Sequence, residues 1–484
     1  LEVKEIDFDA LEKRIEEIRS NVPEDLFELQ YREIILEKIP PLIQQAKIMS
    51  QKYDVICANP PYMGIRNMDS TLSDYLKTHY ISSKNDLFSV FIEKGFNLTK
   101  KNGFNTMVTM QSWMFLSSFK GFREKILLDN NIWMLIHMGN NVMGIAFGTS
   151  ATVFRKFKGT KYRARYNYID FKDIDNNGYP VDFPIQKRKN GICCLEEFKN
   201  ICEYQIVYWM STKMRNIFKN SKQLKELADI KQGITTSDNN RFLRYWHEVY
   251  YRKIGLGLNK QDAKNSNFKW FPYNKGGSYR KWYGNNEYVI NYENDGKELK
   301  EFHEKLNKTS PGGRLKNQEY YFLEGLTWSK VTNGEFSVRF MPKGTLFDVA
   351  GSCVFPPKDK FNFIFGFLNS KVVKTILELI SPTVNYEAIQ ISSLPYIYKE
   401  ESKIDGIVKE CVRLAKRYWD SFETSWDFRR HPLITYRMAA AYAWGDNPPK
   451  SRISSAFKAW SIFSEGQFNQ LKANEEELNR IFIE

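Results

Sequence analysis

Four consecutive residues, Asn59-Pro60-Pro61-Tyr62, carry the most readable chemistry of this chain. The Asn59 carboxamide oxygen and the Pro60 carbonyl are both hydrogen-bond acceptors. Side by side they suit an exocyclic amine, and Tyr62 offers a flat ring to stack on the heterocycle bearing it. Those are the parts needed to hold a flipped-out base by its amino group. The preceding residues Val55, Ile56, Cys57 and Ala58 form the short apolar run of a central parallel strand. Two prolines, each lacking an N–H and fixed in φ, end that strand in a stiff bend. Open α/β sheets bind ligands at the carboxyl ends of their strands. Pro-Pro-Tyr alone also fits a polyproline ligand for WW-type modules, so that reading stays open here. The buried-strand run weighs against it, because such a ligand sits in a polar, disordered setting.

The elements that must position this bend follow from periodicity. Residues 1–50 read as two helices with a break at Pro40-Pro41, and residues 86–101 as an amphipathic helix closed by Asn102-Gly103. A strand from Phe104 to Met110, a helix at about 117–128 and a strand from Ile132 to Met138 come next. Residues 141–157 read as a hairpin, with Gly144 and Gly148 near its turn and Ala151–Phe154 as its return strand. This order predicts an α/β fold, the C-terminal half of a doubly wound, Rossmann-like sheet ending in an antiparallel edge. Beyond about residue 160, short strands alternate with Gly, Asn and Pro turns, helices are few until 365–380, and the chain is helical from 403. The expected divisions are a helical lead-in (1–50), a partial catalytic domain (51–160), a connector (161–222), a mixed α+β recognition domain (223–400) and a helical C-terminal region (401–484). The chain opens without Met and its last helical pattern stops in mid-helix, so it reads as an internal piece of something longer.

Composition narrows the class. At 484 residues, with 15% aromatic and 26% charged residues, the chain is globular with two or three cores, not disordered. No run reaches the roughly 18 apolar residues of a membrane span, which points to a cytoplasmic protein without a membrane partner. Cys57, Cys193, Cys194, Cys202, Cys353 and Cys411 include no C-x-x-C pair and no His at metal-ligand spacing. They read as reduced thiols, with no metal site. The net charge is +14, unevenly spread: residues 1–50 carry seven Lys/Arg against twelve Asp/Glu, and residues 222–345 carry 22 against 14. In 270–283 the basic excess is interleaved with Trp and Tyr. Cations for phosphates and flat rings for bases suit nucleic acid, with a plain solvated surface as the alternative. Arg241, Lys275, Arg280, Lys281 and Arg314 are the candidate DNA contacts.

Several ordered segments resemble one family, the adenine-specific DNA methyltransferases of bacteriophage-exclusion (BREX, PglX-like) systems, relatives of fused restriction–modification methyltransferases. Asn59-Pro-Pro-Tyr-Met-Gly64 resembles their catalytic motif, Ser83–Lys94 the following helix, and Met110-Gln-Ser-Trp-Met-Phe-Leu-Ser-Ser118 the next strand and loop. Gln232–Leu243, Tyr245–Val249, Tyr273–Gly277 and Arg280–Asn285 resemble the opening of the target-recognition region. Leu326–Ser329, Phe367–Lys371 and Pro382–Tyr386 resemble its second half.

The resemblance implies site-specific N6-adenine methylation of double-stranded DNA with S-adenosylmethionine, in host-DNA modification for anti-phage defence alongside other defence proteins. Asn59 and Pro60 would accept the adenine amine, Tyr62 would stack on the base, and Pro61 and Phe91 would line the pocket for the cofactor's adenine. Phe91 can equally be a core position, since Phe88, Phe91 and Ile92 fall near one helix face. Two departures stand out. Where a second stacking aromatic is expected after His137-Met-Gly139, the chain has Val142 and Met143, with Phe147 the nearest substitute. There is also no glycine-rich cofactor loop, and residues 1–50 contain no glycine, so the cofactor site is expected to be incomplete and this chain alone inactive. The alternative is a DNA-binding specificity module, or restriction–modification subunit, without independent catalysis. A nuclease reading on Asp262-Ala-Lys264 or Glu298-Leu-Lys300 is disfavoured, because neither lies on a clear strand with an acidic partner before it.

Overall fold

Acidic caps open the first two helices. α1 (Phe8–Ser20) and α2 (Leu26–Ser50) begin where the Asp7 and Asp25 side chains accept the Ala10 and Glu28 amides at 3.0 and 2.7 Å. This satisfies helix-start N–H groups and sets negative charge at the positive end of the dipole. The break expected at Pro40-Pro41 is absent, and both prolines lie inside α2. The helix is tied to α1 on either side of them. Arg32 Nε donates to the Ile18 carbonyl at 3.1 Å before the prolines, and Lys47 pairs with Glu12 at 2.9 Å after them.

The computed structural model describes residues 7–159, 161–186, 188–310, 312–332, 334–381, 385–398, 402–442 and 453–484. Residues 382–384 of the Pro382–Tyr386 segment, and 443–452 of the expected C-terminal helical region, lie outside these. The chain divides into two compact units, Leu1–Trp209 and Met210–Glu484.

The first unit is built on one mixed sheet. β1 (Tyr53–Ala58), β2 (Thr99–Met110), β3 (Asn131–Met138), β4 (Thr149–Arg155), β5 (Ala164–Ile169) and β6 (Gly191–Cys193) lie in the order β1-β2-β4-β3-β5-β6. β1 is parallel to β2 and β3 to β5, while β4 runs antiparallel to both β2 and β3. The return strand expected at an antiparallel edge is therefore inside the sheet. Its Ser150, Thr152 and Phe154 side chains share one buried face. Ser150 Oγ accepts from Trp113 Nε1 at 3.1 Å, and the fully buried Phe154 packs on Phe96 and Trp113 at 5.5 and 5.7 Å. β5 and β6 carry the sheet into the stretch read from sequence as a connector. β1, expected in the centre, lies at the edge: among the described residues no strand pairs with its outer side, and Val55 is 58% exposed.

Between β1 and β2 run α3 (Ser70–His79) and α4 (Leu87–Leu98), and α5 (Lys120–Asp129) precedes β3. α4 packs on β2 through buried Phe88, Ile92 and Phe96, and Asn105 Nδ2 donates to the Ile92 carbonyl at 2.9 Å. Gly95 makes that approach possible, since a Cβ there would lie 2.5 Å from Asn105 Oδ1. α4 ends at Leu98, and the left-handed Asn102 falls within β2 instead of closing the helix.

The second unit holds β7 (Lys222–Gln223), β8 (Asp229–Lys231), β9 (Leu243–Tyr245), β10 (Trp270–Asn274), β11 (Tyr288–Asn291), β12 (Gly325–Trp328), β13 (Val338–Met341), β14 (Leu346–Phe347), β15 (Cys353–Phe355) and β16 (Pro395–Tyr396). They form two four-stranded sheets, β14-β10-β11-β9 and β13-β12-β15-β8, and a β7/β16 pair. An aromatic core that includes Phe242, Phe271, Tyr273, Tyr321, Phe322 and Phe347 fills the unit. The helices Phe361–Leu368, Lys371–Ile380, Ser402–Trp419 and Ile453–Ile483 form its C-terminal part. The whole is a mixed α/β protein with several sheets and a helical C-terminal region.

Candidate active site

The bend after β1 is clamped onto the start of α4. Asp86, the N-cap of α4, accepts from the Met63 amide at 3.0 Å as well as from Phe88, while the Leu87 amide donates to the Met63 carbonyl at 3.0 Å. The Ile65 amide donates to the Asn85 carbonyl at 3.0 Å. Burial raises the Asp86 carboxyl above its ordinary value, and the Phe88, Met63 and Leu87 amides oppose that rise. Pro60 is buried, whereas Asn59 and Pro61 are exposed. The buried proline anchors the bend and leaves the Asn59 carboxamide at the surface.

Tyr62 sits between two phenylalanines. Its ring meets the buried Phe88 edge-on at 6.1 Å and 88°, and meets Phe147 at 5.8 Å and 66°. Edge-to-face pairs at these separations hold ring orientation. Its hydroxyl lies 3.4 Å from Asn59 Oδ1 and 3.3 Å from the Val108 carbonyl of β2. One phenolic proton cannot serve both, and both distances are long for O–H···O. The Asn59 oxygen is thus only loosely engaged and open to an amine. Burial raises the Tyr62 pKa, so the hydroxyl stays protonated at neutral pH.

Of the residues after Gly139, Val142 packs in the core with Met138 and Ile169, and Met143 is exposed. Phe147, 37% exposed, is the aromatic that reaches Tyr62. Phe91 is 40% exposed while Phe88 and Ile92 are fully buried, so it does not fill the core as one reading had it. A polar group that sequence reasoning missed lies at the end of β2 and β3. His137, almost fully buried, places Nδ1 3.0 Å from Tyr208 Oη and Nε2 2.5 Å from Gln111 Oε1. Burial, then the Lys189 charge, lowers its pKa to about 3, so the ring is neutral. Gln111 and His137 stood in segments already singled out, but nothing in their spacing links them to each other or to Tyr208.

In the second unit the five basic candidates are placed differently. Arg241 pairs with Glu298 at 2.8 Å and lies over Phe242 and Phe302. Lys275 Nζ lies 5.8 Å from the Tyr288 ring, and burial lowers its pKa. Arg280 stacks on Trp419 at 4.9 Å, and Lys281 pairs with Glu475 at 2.9 Å, an oxygen pair that Trp282 Nε1 shares at 2.7 Å. Arg314 donates to Asn307 and, at 2.8 Å, to the Ser310 carbonyl. The rings expected to face bases in 270–283 are largely structural: Phe271, Tyr273, Trp282 and Tyr283 are buried, leaving Tyr279 exposed. Apolar rings on short strands gain more from the core than from water. An open aromatic stack instead joins Tyr288 to Tyr245 at 4.7 Å and Tyr245 to His247 at 5.5 Å.

Of the nuclease candidates, Glu298 is held by Arg241 and Asn291, and Asp262 accepts from Asn259. Among the described residues, no three His, Cys, Asp or Glu gather as a metal site, and no helix is long and apolar enough to cross a membrane.

Comparison with known proteins adds four findings. The model of the Eco57I restriction-modification methylase family matches residues 2–143. The adenine-specific methyltransferase PglX of Lacticaseibacillus casei (strain Zhang) is 35% identical over 472 residues, covering 92% of this chain and 37% of that protein. The adenine-specific methyltransferase BrxX of Escherichia coli O9:H4 (strain HS) is 35% identical over 467 residues, 94% of this chain and 36% of that protein. The chain thus spans little more than a third of the length of these relatives. The solved structure of the Type IIL restriction-modification enzyme MmeI in complex with DNA is similar over 88% of this chain and 54% of that one, with 14% identity and a TM-score of 0.46.

Proposed function

We propose that this chain, a relative of the PglX and BrxX adenine-specific methyltransferases over nearly its whole length, carries the base-holding half of a DNA N6-adenine methyltransferase together with its target-recognition part. The observation that carries this reading is the loosely held Asn59 oxygen beside a Tyr62 ring braced by Phe88 and Phe147. Asn59 Oδ1 and the Pro60 carbonyl accept the two amino protons of a flipped adenine. That draws the N6 lone pair out of the ring and toward the methyl donor, so catalysis is mostly orientation and fixed dipoles. Held this way, N6 is the nucleophile that would take the methyl group, and one amino proton leaves to solvent. Tyr62 stacks on the base, while Phe147, set at 66° to its plane, braces that ring instead of stacking on the same base.

S-adenosylmethionine, when bound, supplies a methyl group on a positively charged sulfur. Exposed Pro61 and Phe91 fit its adenine as two uncovered apolar faces beside the bend. Arg241, Lys275, Arg280, Lys281 and Arg314 belong to the DNA-recognition half. Within it we place phosphate contact on Lys275, since Arg241, Arg280, Lys281 and Arg314 are engaged with their own unit. The setting is the cytoplasm, in modification of host DNA.

The test is labelled methyl transfer to DNA by the natural full-length protein and by Asn59→Ala. Transfer should fall at least about 100-fold, the scale for losing one preorganised polar group. DNA affinity should change by less than tenfold, about 1.4 kcal/mol. Unchanged transfer overturns the reading, and a larger loss of affinity assigns Asn59 to recognition.

A further inference from the structure

We propose that Gln111 reads the ring of the target base: its carboxamide NH2 donates to a ring nitrogen of the adenine, and His137 and Tyr208 lock the carboxamide in that donating orientation. This rests on the adenine reading above and deepens it.

The hydrogen-bond roles follow from counting protons. The Tyr208 hydroxyl has one, and His137 Nδ1, 3.0 Å away, is its partner. Gln111 Oε1 carries no proton, so His137 Nε2 must be the N–H facing it, which leaves Nδ1 of the neutral ring to accept from the Tyr208 hydroxyl. That N–H then donates to Gln111 Oε1 at 2.5 Å. The ring is kept neutral by its surroundings, with Phe115, Tyr168, Tyr208 and Trp209 centroids 5.0 to 6.0 Å away. With Oε1 committed as an acceptor, the carboxamide can present only its NH2 outward, and that group has no hydrogen-bond partner among the described residues.

The carboxamide lies beside the loop that carries Phe147. The Gln111 amide donates to the Gly148 carbonyl at 3.1 Å, and a Cβ on Gly148 would lie 2.5 Å from the carboxamide carbon, nitrogen and oxygen. The carboxamide therefore lies flat against a backbone position with no side chain. The residue before it, Phe147, is the ring beside Tyr62, whose hydroxyl meets the Val108 carbonyl three residues before Gln111 on the same chain segment. A fixed donor here complements adenine, whose ring nitrogens N1, N3 and N7 are all acceptors. It opposes guanine at N1, which carries a proton. Asn59 and Pro60 select an amine, and Gln111 would select the ring that carries it.

The experiment uses the natural full-length protein and a duplex carrying the methylated site mapped in the source cells. The target adenine is replaced in turn by 1-deaza-, 3-deaza- and 7-deazaadenine, each swapping one acceptor nitrogen for C–H. The wild type should lose tenfold or more in kcat/KM on one analogue. Gln111→Leu, and Gln111→Glu, which keeps the shape and the His137 bond but has no donor, should lose as much on adenine and nothing further on that analogue. Tyr208→Phe, acting on a positioning residue, should give a smaller loss with the same blunted discrimination. Melting curves and DNA affinity matching the wild type establish that the variants fold. Wild-type indifference to all three analogues, or variants that lose equally on every base, overturns the inference while leaving methylation intact. A wild type that methylates no DNA overturns both.

Discussion

Tyr62 separates a stacking role from a chemical one. In the structure its ring is braced by Phe88 at 6.1 Å and Phe147 at 5.8 Å, while its hydroxyl has only two long contacts, 3.3 and 3.4 Å. Removing the hydroxyl in Tyr62→Phe therefore forfeits at most one weak hydrogen bond, about 0.5–1 kcal/mol or two- to fivefold. Removing the ring in Tyr62→Ala forfeits a base–aromatic stack, about 1–3 kcal/mol. It also leaves Phe147 without its edge partner, about 0.5–1.5 kcal/mol. The expected loss in kcat/KM is then roughly 10- to 1,000-fold for Ala against less than about fivefold for Phe. Single-turnover transfer of labelled methyl to a defined duplex, with DNA affinity measured in parallel, reads both. Because burial raises the Tyr62 pKa, the wild type and Tyr62→Phe should share one pH profile up to the pH where the phenol would ionise. Phe as damaging as Ala, or a pH limb lost in Phe, refutes a purely stacking role.

Other expectations are more local. His137 has a folded pKa near 3, below the 6.5 of the free ring, so the unfolded chain binds more protons between those values. Its contribution is complete above pH 6.5 and lost as pH falls toward 3, at up to roughly 1.4 kcal/mol per pH unit. Melting followed from pH 7 to 4.5 should show that slope flattened in His137→Gln, and an identical slope would remove His137 as its source. Lys281→Ala should lower the stability of the second unit by about 1–3 kcal/mol, because it strips a half-buried partner from Glu475. The salt slope of DNA binding should stay unchanged, and a flattened slope would return Lys281 to the phosphate-contact set. Lys275→Ala should weaken binding across sequences and reduce that slope by about one. Gly233→Ala should cost about 3 kcal/mol or more by denaturant melting, since its Cβ would lie 1.8 Å from the Phe347 carbonyl oxygen, a backbone atom that cannot swing aside.

The fold was legible where pattern is local. The apolar run at Val55–Ala58, the amphipathic helix from Leu87 and the strand through Phe104–Met110 all form where periodicity puts them. Strand order was not legible. That β4 turns back between β2 and β3 depends on which edge a strand of alternating Thr, Val and Phe finds, and no residue spacing encodes that choice. Pro40-Pro41 misled for a related reason. Propensity counts the lost amides, yet α2 runs through both prolines, with ties from Arg32 and Lys47 to α1 on either side of them.

The site divides along the same line. Asn59 to Tyr62 are contiguous, so their chemistry can be read as a word, and composition picked out Arg280 and Lys281 as cations. Whether a cation faces solvent or a carboxylate 194 residues away is a tertiary fact, as Lys281 and Glu475 illustrate. Aromatics are ambiguous in the same way, because Trp282 and an exposed stacking ring look alike in sequence. Gln111, His137 and Tyr208 are separated by 26 and 71 residues and meet only because β2, β3 and the segment after β6 converge beside one loop. A motif names the groups that would touch the amine. The groups that would decide which ring carries the amine are assembled by topology, and the deaza-base series is the measurement that addresses them directly.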